Sequence, residues 1–255
     1  MKKLELKEIS KSFSTGGSDT KILNGINLHV NEGEFVSLIG PSGSGKTTLF
    51  HLIGGLIRPS SGQIVMEGSD VTGRKGLVSY MPQQASLFPW RTVEENVILA
   101  RETAGLPKAE SLELAREWLA KVGLQGYEKE HPHVLSGGMQ QRVSFLRALL
   151  SPQELMCLDE PFGALDALTR EEMQHWLLKI WEQNKRSVLF ITHSLEEALL
   201  LSDRIYLLSD KPSRIEREVI VPFERPRALT ITEDPAFISM KRELINLMKS
   251  VGSGS

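Results

Sequence analysis

Apolar and polar positions alternate over the first 35 residues, where Leu4, Leu6 and Ile9 are followed by Ile22, Leu23, Ile26, Leu28 and Val30. That period predicts short antiparallel strands with one face buried. Gly16-Gly17-Ser18-Asp19 predicts a turn between two of them. Unbroken apolar runs follow at Phe35–Ile39, Leu155–Leu158, Val188–Ile191 (within Ser187–Thr192) and Ile205–Leu208. Such runs suit strands covered on both faces. Between and after them the period lengthens to about 3.6, which predicts helices. The stripes are Leu49, Leu52, Ile53 and Leu56; Leu112, Ala115, Leu119 and Val122; Met139, Val143, Leu146 and Leu150; and Met173, Trp176, Leu177, Ile180 and Trp181. A last helical patch, Phe237 to Met248, follows the proline-rich segment Val221–Pro226. Strands alternating with helices predict an α/β fold with a mostly parallel core sheet. An antiparallel β subdomain is expected before it, and an α-helical subdomain inserted at about 86–150. We read residues 1–226 as one domain and 227–255 as a C-terminal helical tail, with no internal repeat.

Composition narrows the class. The chain has 255 residues, 40% of them hydrophobic and 24% charged, and a formal net charge of -2. That balance gives no basic footprint for a nucleic-acid partner. A lone cysteine, Cys157, excludes an internal disulfide, suits a reducing compartment and reads as a buried strand residue. No apolar run approaches the roughly 18 residues that span a bilayer, and Met1-Lys2-Lys3-Leu4-Glu5 is not a secretory signal. A soluble, intracellular protein is expected, reaching a membrane only through a partner. Gly252-Ser253-Gly254-Ser255 reads as a flexible tail.

Three segments carry chemistry. Gly40-Pro41-Ser42-Gly43-Ser44-Gly45-Lys46-Thr47, followed by Thr48, has the spacing G-x-x-x-x-G-K-[ST] between a strand and a helix. A helix start offers unpaired N–H groups and a positive dipole end to an anion. The glycines let the backbone approach phosphate closely. Lys46 is placed to reach the β- and γ-phosphates of a nucleoside triphosphate, and the Thr47 hydroxyl to ligate Mg²⁺. The second segment, Leu158-Asp159-Glu160, ends an apolar strand, where open parallel sheets place their ligands. Asp159 is expected to hold Mg²⁺ through its water shell, and Glu160 to orient or deprotonate an attacking water. In the third, Leu135 to Arg142, Ser136 is a good N-cap. Gly137 and Gly138 are poor helix formers, costing about 1 kcal/mol each. Backbone N–H groups left bare for an anion would justify that cost. This segment lies some ninety residues beyond the loop, so a single triphosphate meeting both needs an explanation. His131 and His133 flank Pro132 without matching ligands, so no metal site is expected there.

Taken in order, the phosphate loop, Leu135–Arg142 and Asp159-Glu160 resemble the motifs of the ATP-binding-cassette (ABC) family, over about residues 4 to 226. The resemblance implies the phosphate-loop NTPase fold, ATP and Mg²⁺ as cofactors, and ATP hydrolysis. It also implies a head-to-tail dimer of two identical chains. Each ATP then lies between one chain's phosphate loop and the partner's Ser136-Gly137-Gly138, with Gln140 beside them. Gln83 resembles the glutamine that touches Mg²⁺ and water and couples the helical subdomain to the core. Ala164-Leu165-Asp166 resembles the D-loop, although Asp166 equally reads as a helix N-cap. His193 resembles the histidine that contacts the γ-phosphate, and Phe13 the aromatic that stacks on adenine. Ser194 to Glu197 reads as a capping box.

Among ABC proteins, a chromosome-maintenance ATPase would need a long coiled coil before the signature, and a translation factor usually carries two cassettes. Neither feature is present. An isolated cassette without membrane helices resembles an importer subunit. Leu87 to Val93, Phe162 to Asp166 with Thr169-Arg170, and His193 to Arg204 resemble the nitrate/sulfonate/taurine group, which includes pyrimidine-precursor carriers. That implies a separate permease, a solute-binding protein acting through it, and a place on the cytoplasmic face of the membrane. Phe88-Pro89-Trp90 is where the permease would dock.

Overall fold

The computed structural model describes residues 1–15, 18–163 and 165–252. The chain opens with β1 (Lys2–Thr15) and β2 (Ser18–Asn31), then β3 (Phe35–Ile39), α1 (Lys46–Ile53), β4 (Ser61–Met66), β5 (Ser69–Asp70) and β6 (Ser79–Met81). Four helices follow: α2 (Val93–Val97), α3 (Leu99–Thr103), α4 (Lys108–Lys121) and α5 (Gly137–Leu149). The chain then returns through β7 (Leu155–Asp159), α6 (Ala167–Asn184), β8 (Ser187–Ile191), α7 (Leu195–Leu201), β9 (Arg204–Leu208) and β10 (Ile215–Ile220) to α8 (Pro235–Gly252).

Two sheets result. An antiparallel sheet has the order β2-β1-β4-β5, and the core sheet the order β10-β9-β3-β8-β7-β6. Among the described residues only β10 runs antiparallel in the core sheet; β9, β3, β8, β7 and β6 are parallel. β3, β7 and β8 are buried along their whole length, as their unbroken apolar runs require. In place of the short N-terminal strands expected, β1 and β2 are 14 residues each. The step from Leu6 to Ile9 breaks the period of two, and the pairing register shifts there, with Glu8 at φ 50. The bulge absorbs the extra residue and keeps all three apolar side chains on one face. Ser18 and Asp19, assigned to the turn, already pair with Thr15 and Ser14; Gly16 and Gly17 lie outside the described residues.

Helix α1 lies between the sheets. Leu49, Phe50, Leu52 and Ile53 pack with Leu4, Leu6 and Ile26 from one side and Leu155, Cys157 and Leu189 from the other. The predicted stripe does not reach Leu56, which is 53% exposed. The helix stops at Gly54-Gly55, and Gly55 has φ +69 with the Arg74 carbonyl only 2.2 Å from where a Cβ would stand. No side chain fits there, so the chain must turn away. A second core joins α2, α4, α5 and α6 to the other face of the sheet through Val97, Leu119, Leu146, Leu177 and Phe190. Phe237 and Leu244 of α8 pack with Ile39, Leu199 and Leu207. No helix among the described residues is long and apolar enough to cross a membrane.

Candidate active site

The loop from Gly40 to Gly45 joins the buried end of β3 to the start of α1. Gly45 is the residue before that start, with φ 92 and no side-chain cap. A Cβ on it would stand 2.7 Å from Ile22 Cγ2, so the position requires glycine on both conformational and steric grounds. The first-turn N–H groups have no capping side chain and face the cleft, the arrangement that binds anions. Lys46 is buried, and its ammonium donates to the Gly40 and Pro41 carbonyls, each at 2.8 Å, with Ser44 Oγ at 3.4 Å. Burial pushes its pKa down, and the nearby Glu160 and Asp159 carboxylates oppose the shift.

Two acids face this loop. Asp159 ends β7 and is 2% exposed; its Oδ2 is buried with no hydrogen-bond partner. Burial raises its pKa, the Thr47 hydroxyl opposes that, and Glu160 adds to it. At Glu160 the backbone enters the left-handed region, φ 46, which costs an L-residue about 1 kcal/mol or more. Its N–H donates to the Ile191 carbonyl at 2.9 Å, tying the bend to the end of β8. Gln83, just past β6, donates from Nε2 to Glu160 Oε2 at 3.1 Å, and His193 Nδ1 lies 3.4 Å from the same oxygen. Three parallel strand ends thus bring Gln83, Glu160 and His193 to one carboxylate.

These groups line one open cleft of about 540 Å³: Gly40, Ser42, Gly43, Gly45, Lys46, Thr47, Thr48, Gln83, Asp159, Glu160 and His193, together with Ile191 and Lys211. Pro41 contributes its carbonyl to Lys46, and Ser44 is buried within the loop. The other predicted residues lie outside the lining. Phe13 is 41% exposed on β1, with the Lys11 ammonium 4.9 Å from its ring centre. Ser136 caps α5, its hydroxyl accepting from Met139 N at 3.3 Å, and a Cβ on Gly137 would meet nothing within 4 Å. Gln140 is turned inward, its amide donating to the Pro132 and Leu135 carbonyls. Asp166 caps α6 by accepting from Thr169 N at 3.0 Å. Its neighbour Ala164 lies outside the described residues.

The expected capping box at α7 is only half made. Ser194 accepts from Glu197 N, but the Glu197 carboxylate is held by the Thr192 hydroxyl and the Gln174 amide. The complete box is at α2, between Thr92 and Glu95. Sequence reasoning also missed Gln141, whose buried amide reaches the Gln83 carbonyl at 3.4 Å and links α5 to the site. It missed Lys211 too, which belongs to no spaced motif. Gln141 lies within the Leu135–Arg142 segment, but its tie to Gln83, like the place of Lys211, shows only in the fold.

Fold and cleft together define a phosphate-loop nucleoside triphosphatase, with α2 to α5 inserted between strands of the core sheet. The profile of the ABC transporter family matches residues 23–163, and the chain belongs to that family. It is 44% identical over 247 residues to an ABC transporter ATP-binding protein of Methanocaldococcus jannaschii, covering 97% of this chain and 91% of the relative. A taurine import ATP-binding protein of Pelagibacter ubique is 40% identical over 239 residues, covering 91% and 89%. A nitrate import ATP-binding protein of Synechocystis is 39% identical over 252 residues, covering 96% and 95%. A solved dimeric ATP-binding cassette in a post-hydrolysis state, bound to ADP and Pi, superposes with a TM-score of 0.77 at 31% identity. That match covers 87% of this chain and all of the other.

Proposed function

We propose that this chain is the ATP-binding and ATP-hydrolysing subunit of an ABC importer for a small solute, working with a separate permease. The observation that carries the reading is the meeting of Gln83, Glu160 and His193 at the acidic end of the phosphate-loop cleft. The N–H groups from Gly43 to Thr47 and the Lys46 ammonium bind the phosphate chain. Glu160 accepts a proton from the water that attacks the γ-phosphorus, while the bond to the bridging oxygen breaks to give ADP and phosphate. His193 donates to the γ-phosphate, and Gln83 holds the Glu160 carboxylate and the water in register. The residues fit a divalent cation: Asp159 Oδ2 is a buried anionic oxygen without a partner, and the Thr47 hydroxyl and the Gln83 amide oxygen, hard donors, line the same cleft. Bound there, Mg²⁺ would neutralise charge on the β- and γ-phosphates.

Ser136, Gly137, Gly138 and Asp166 are given their work by a second copy. In a head-to-tail dimer the partner's exposed Ser136-Gly137 turn faces the phosphates from across the cleft, and Phe13 stacks on adenine. ATP contacts both halves only in the closed dimer, so binding favours closure. Hydrolysis removes a phosphate contact and reopens it. The permease converts that movement into transport, fed by a solute-binding protein, and the chain sits peripherally on the cytoplasmic face. Relatives of nearly equal identity are named for taurine and for nitrate, so identity alone does not select a cargo. Glu160→Gln tests the assignment: ATPase should fall by about 10²-fold or more, with ATP binding retained. Near-normal turnover would remove Glu160 from the role.

A further inference from the structure

Lys211 is the second ammonium on the cleft that holds Lys46. It sits in the turn between β9 and β10, and its Nζ lies 3.9 Å from where a Cβ on Gly43 would stand. Among the described residues it makes no ion pair or hydrogen bond, whereas other lysines near acids, such as Lys3 and Lys241, are paired. A cation without a carboxylate, on the rim of an anion-binding loop, is available to an incoming anion.

The turn carrying it is fixed to that loop. The Ser213 hydroxyl donates to the Ser44 carbonyl at 2.5 Å, from a fully buried side chain. Ser213 N donates to Ile22 O and Ser213 O accepts from Asn24 N, both at 2.8 Å, which straps the turn to β2. Ser209 closes its base, exchanging bonds with Arg214 through backbone and hydroxyl at 3.0 Å each. The turn is thus fixed on both sides of Lys211, which lines the cleft together with Ser42 and Gly43.

Charge gives the position its meaning. The cleft contains Asp159 and Glu160 against Lys46, whose ammonium already serves the Gly40 and Pro41 carbonyls. A nucleoside triphosphate adds further negative charge to a site whose own acids repel it. We propose that Lys211 is a second phosphate-binding cation, reaching the nucleotide's phosphate chain over the Gly43 lip. The inference rests on the proposed ATP site and adds a residue that lies outside the phosphate-loop motif.

The test measures Mg²⁺-ATP binding by calorimetry for the wild type, Lys211→Met, Lys211→Arg and Lys46→Ala, at about 50 and about 300 mM salt, either side of the screening range for exposed charges. Methionine keeps the stem without the charge. Lys211→Met should weaken binding about threefold to tenfold at low salt, with a smaller difference at high salt. Lys211→Arg should bind within about twofold of the wild type. If Lys211→Met matches the wild type at both salts while Lys46→Ala loses ATP, the Lys211 assignment falls and the ATP site stands. Equal weakening by methionine and arginine at both salts would mean that the turn's packing matters and its charge does not, which also overturns it. If the wild type fails to bind ATP, the site reading fails first.

Discussion

Asp159→Asn should make the metal-free protein more stable while disabling it. The Asp159 carboxylate is 2% exposed, with Oδ2 unpartnered and Glu160 beside it, and burial holds its pKa above the ordinary range. An unsatisfied buried acceptor costs about 1–3 kcal/mol, more when charged. Asparagine is nearly isosteric and uncharged. Its amide still lacks one partner, so we expect a recovery of about 1–2 kcal/mol rather than the full penalty. For a chain of this size that raises Tm by roughly 2–8 °C, at about 2–4 °C per kcal/mol. Adding Mg²⁺-ATP reverses the order: at a hundredfold excess over Kd the wild type gains about 2.7 kcal/mol. The variant lacks the anionic oxygen and should gain clearly less. Thermal unfolding with EDTA and again with Mg²⁺-ATP gives both numbers from one instrument, alongside an ATPase assay. A variant melting at or below the wild type in EDTA would refute the argument that this carboxylate is kept at a cost to stability. Equal stabilisation of the two proteins by Mg²⁺-ATP would refute its place at the cation.

Two further predictions concern the segment between β6 and β7. Glu94 is 1% exposed; burial raises its pKa, but bonds from Arg116 and Lys129 more than offset that and hold it below the ordinary 4.5. A depressed carboxyl stabilises the fold fully above the unfolded value and loses that contribution as pH falls through the folded one. Glu94→Gln should therefore cost about 1 kcal/mol at pH 7, the exposed partners keeping it small. In urea titrations the gap from the wild type should close as pH drops below 4.5; a constant gap would mean that packing, not charge, is lost. Trp90 is 71% exposed, while the buried Asn96 holds the backbone of Phe88 beside it. Trp90→Ala should change stability by no more than about 0.5 kcal/mol, leave basal ATPase intact and abolish stimulation by the permease. A destabilisation of several times that size would assign the ring to folding.

What was legible in the sequence was what the chain decides locally. The phosphate loop needs only a strand, its glycines and a helix start in succession, and the N-caps at Ser136 and Asp166 are set within three residues. The misses follow from contacts between distant segments. Leu56 carries the right period, but the Arg74 carbonyl pressing on Gly55 ends the helix first. Glu197 has capping-box spacing, yet Thr192 and Gln174 offer its carboxylate two better donors than the Ser194 N–H. Lys211 gains meaning only once Ser213 is strapped to Ser44 across 169 residues.

Gln140 shows how the structure sharpens the second half of the site. The segment Ser136 to Gln140 is proposed to meet the phosphates of another copy, and a glutamine there invites a role for its amide. That amide already donates to the Pro132 and Leu135 carbonyls, and turning it toward a ligand would leave those carbonyls unpaired, at about 1 kcal/mol or more. The Ser136 hydroxyl accepts from Met139 N and keeps its own O–H to donate. The exposed Gly137 backbone carries no such commitment, and a Cβ there would meet nothing within 4 Å. The start of α5 therefore offers an anion its bare N–H groups and the positive end of a 13-residue helix. The two glycines that weaken the helix keep that surface open, Ser136 caps it, and Gln140 holds the turn in shape from behind.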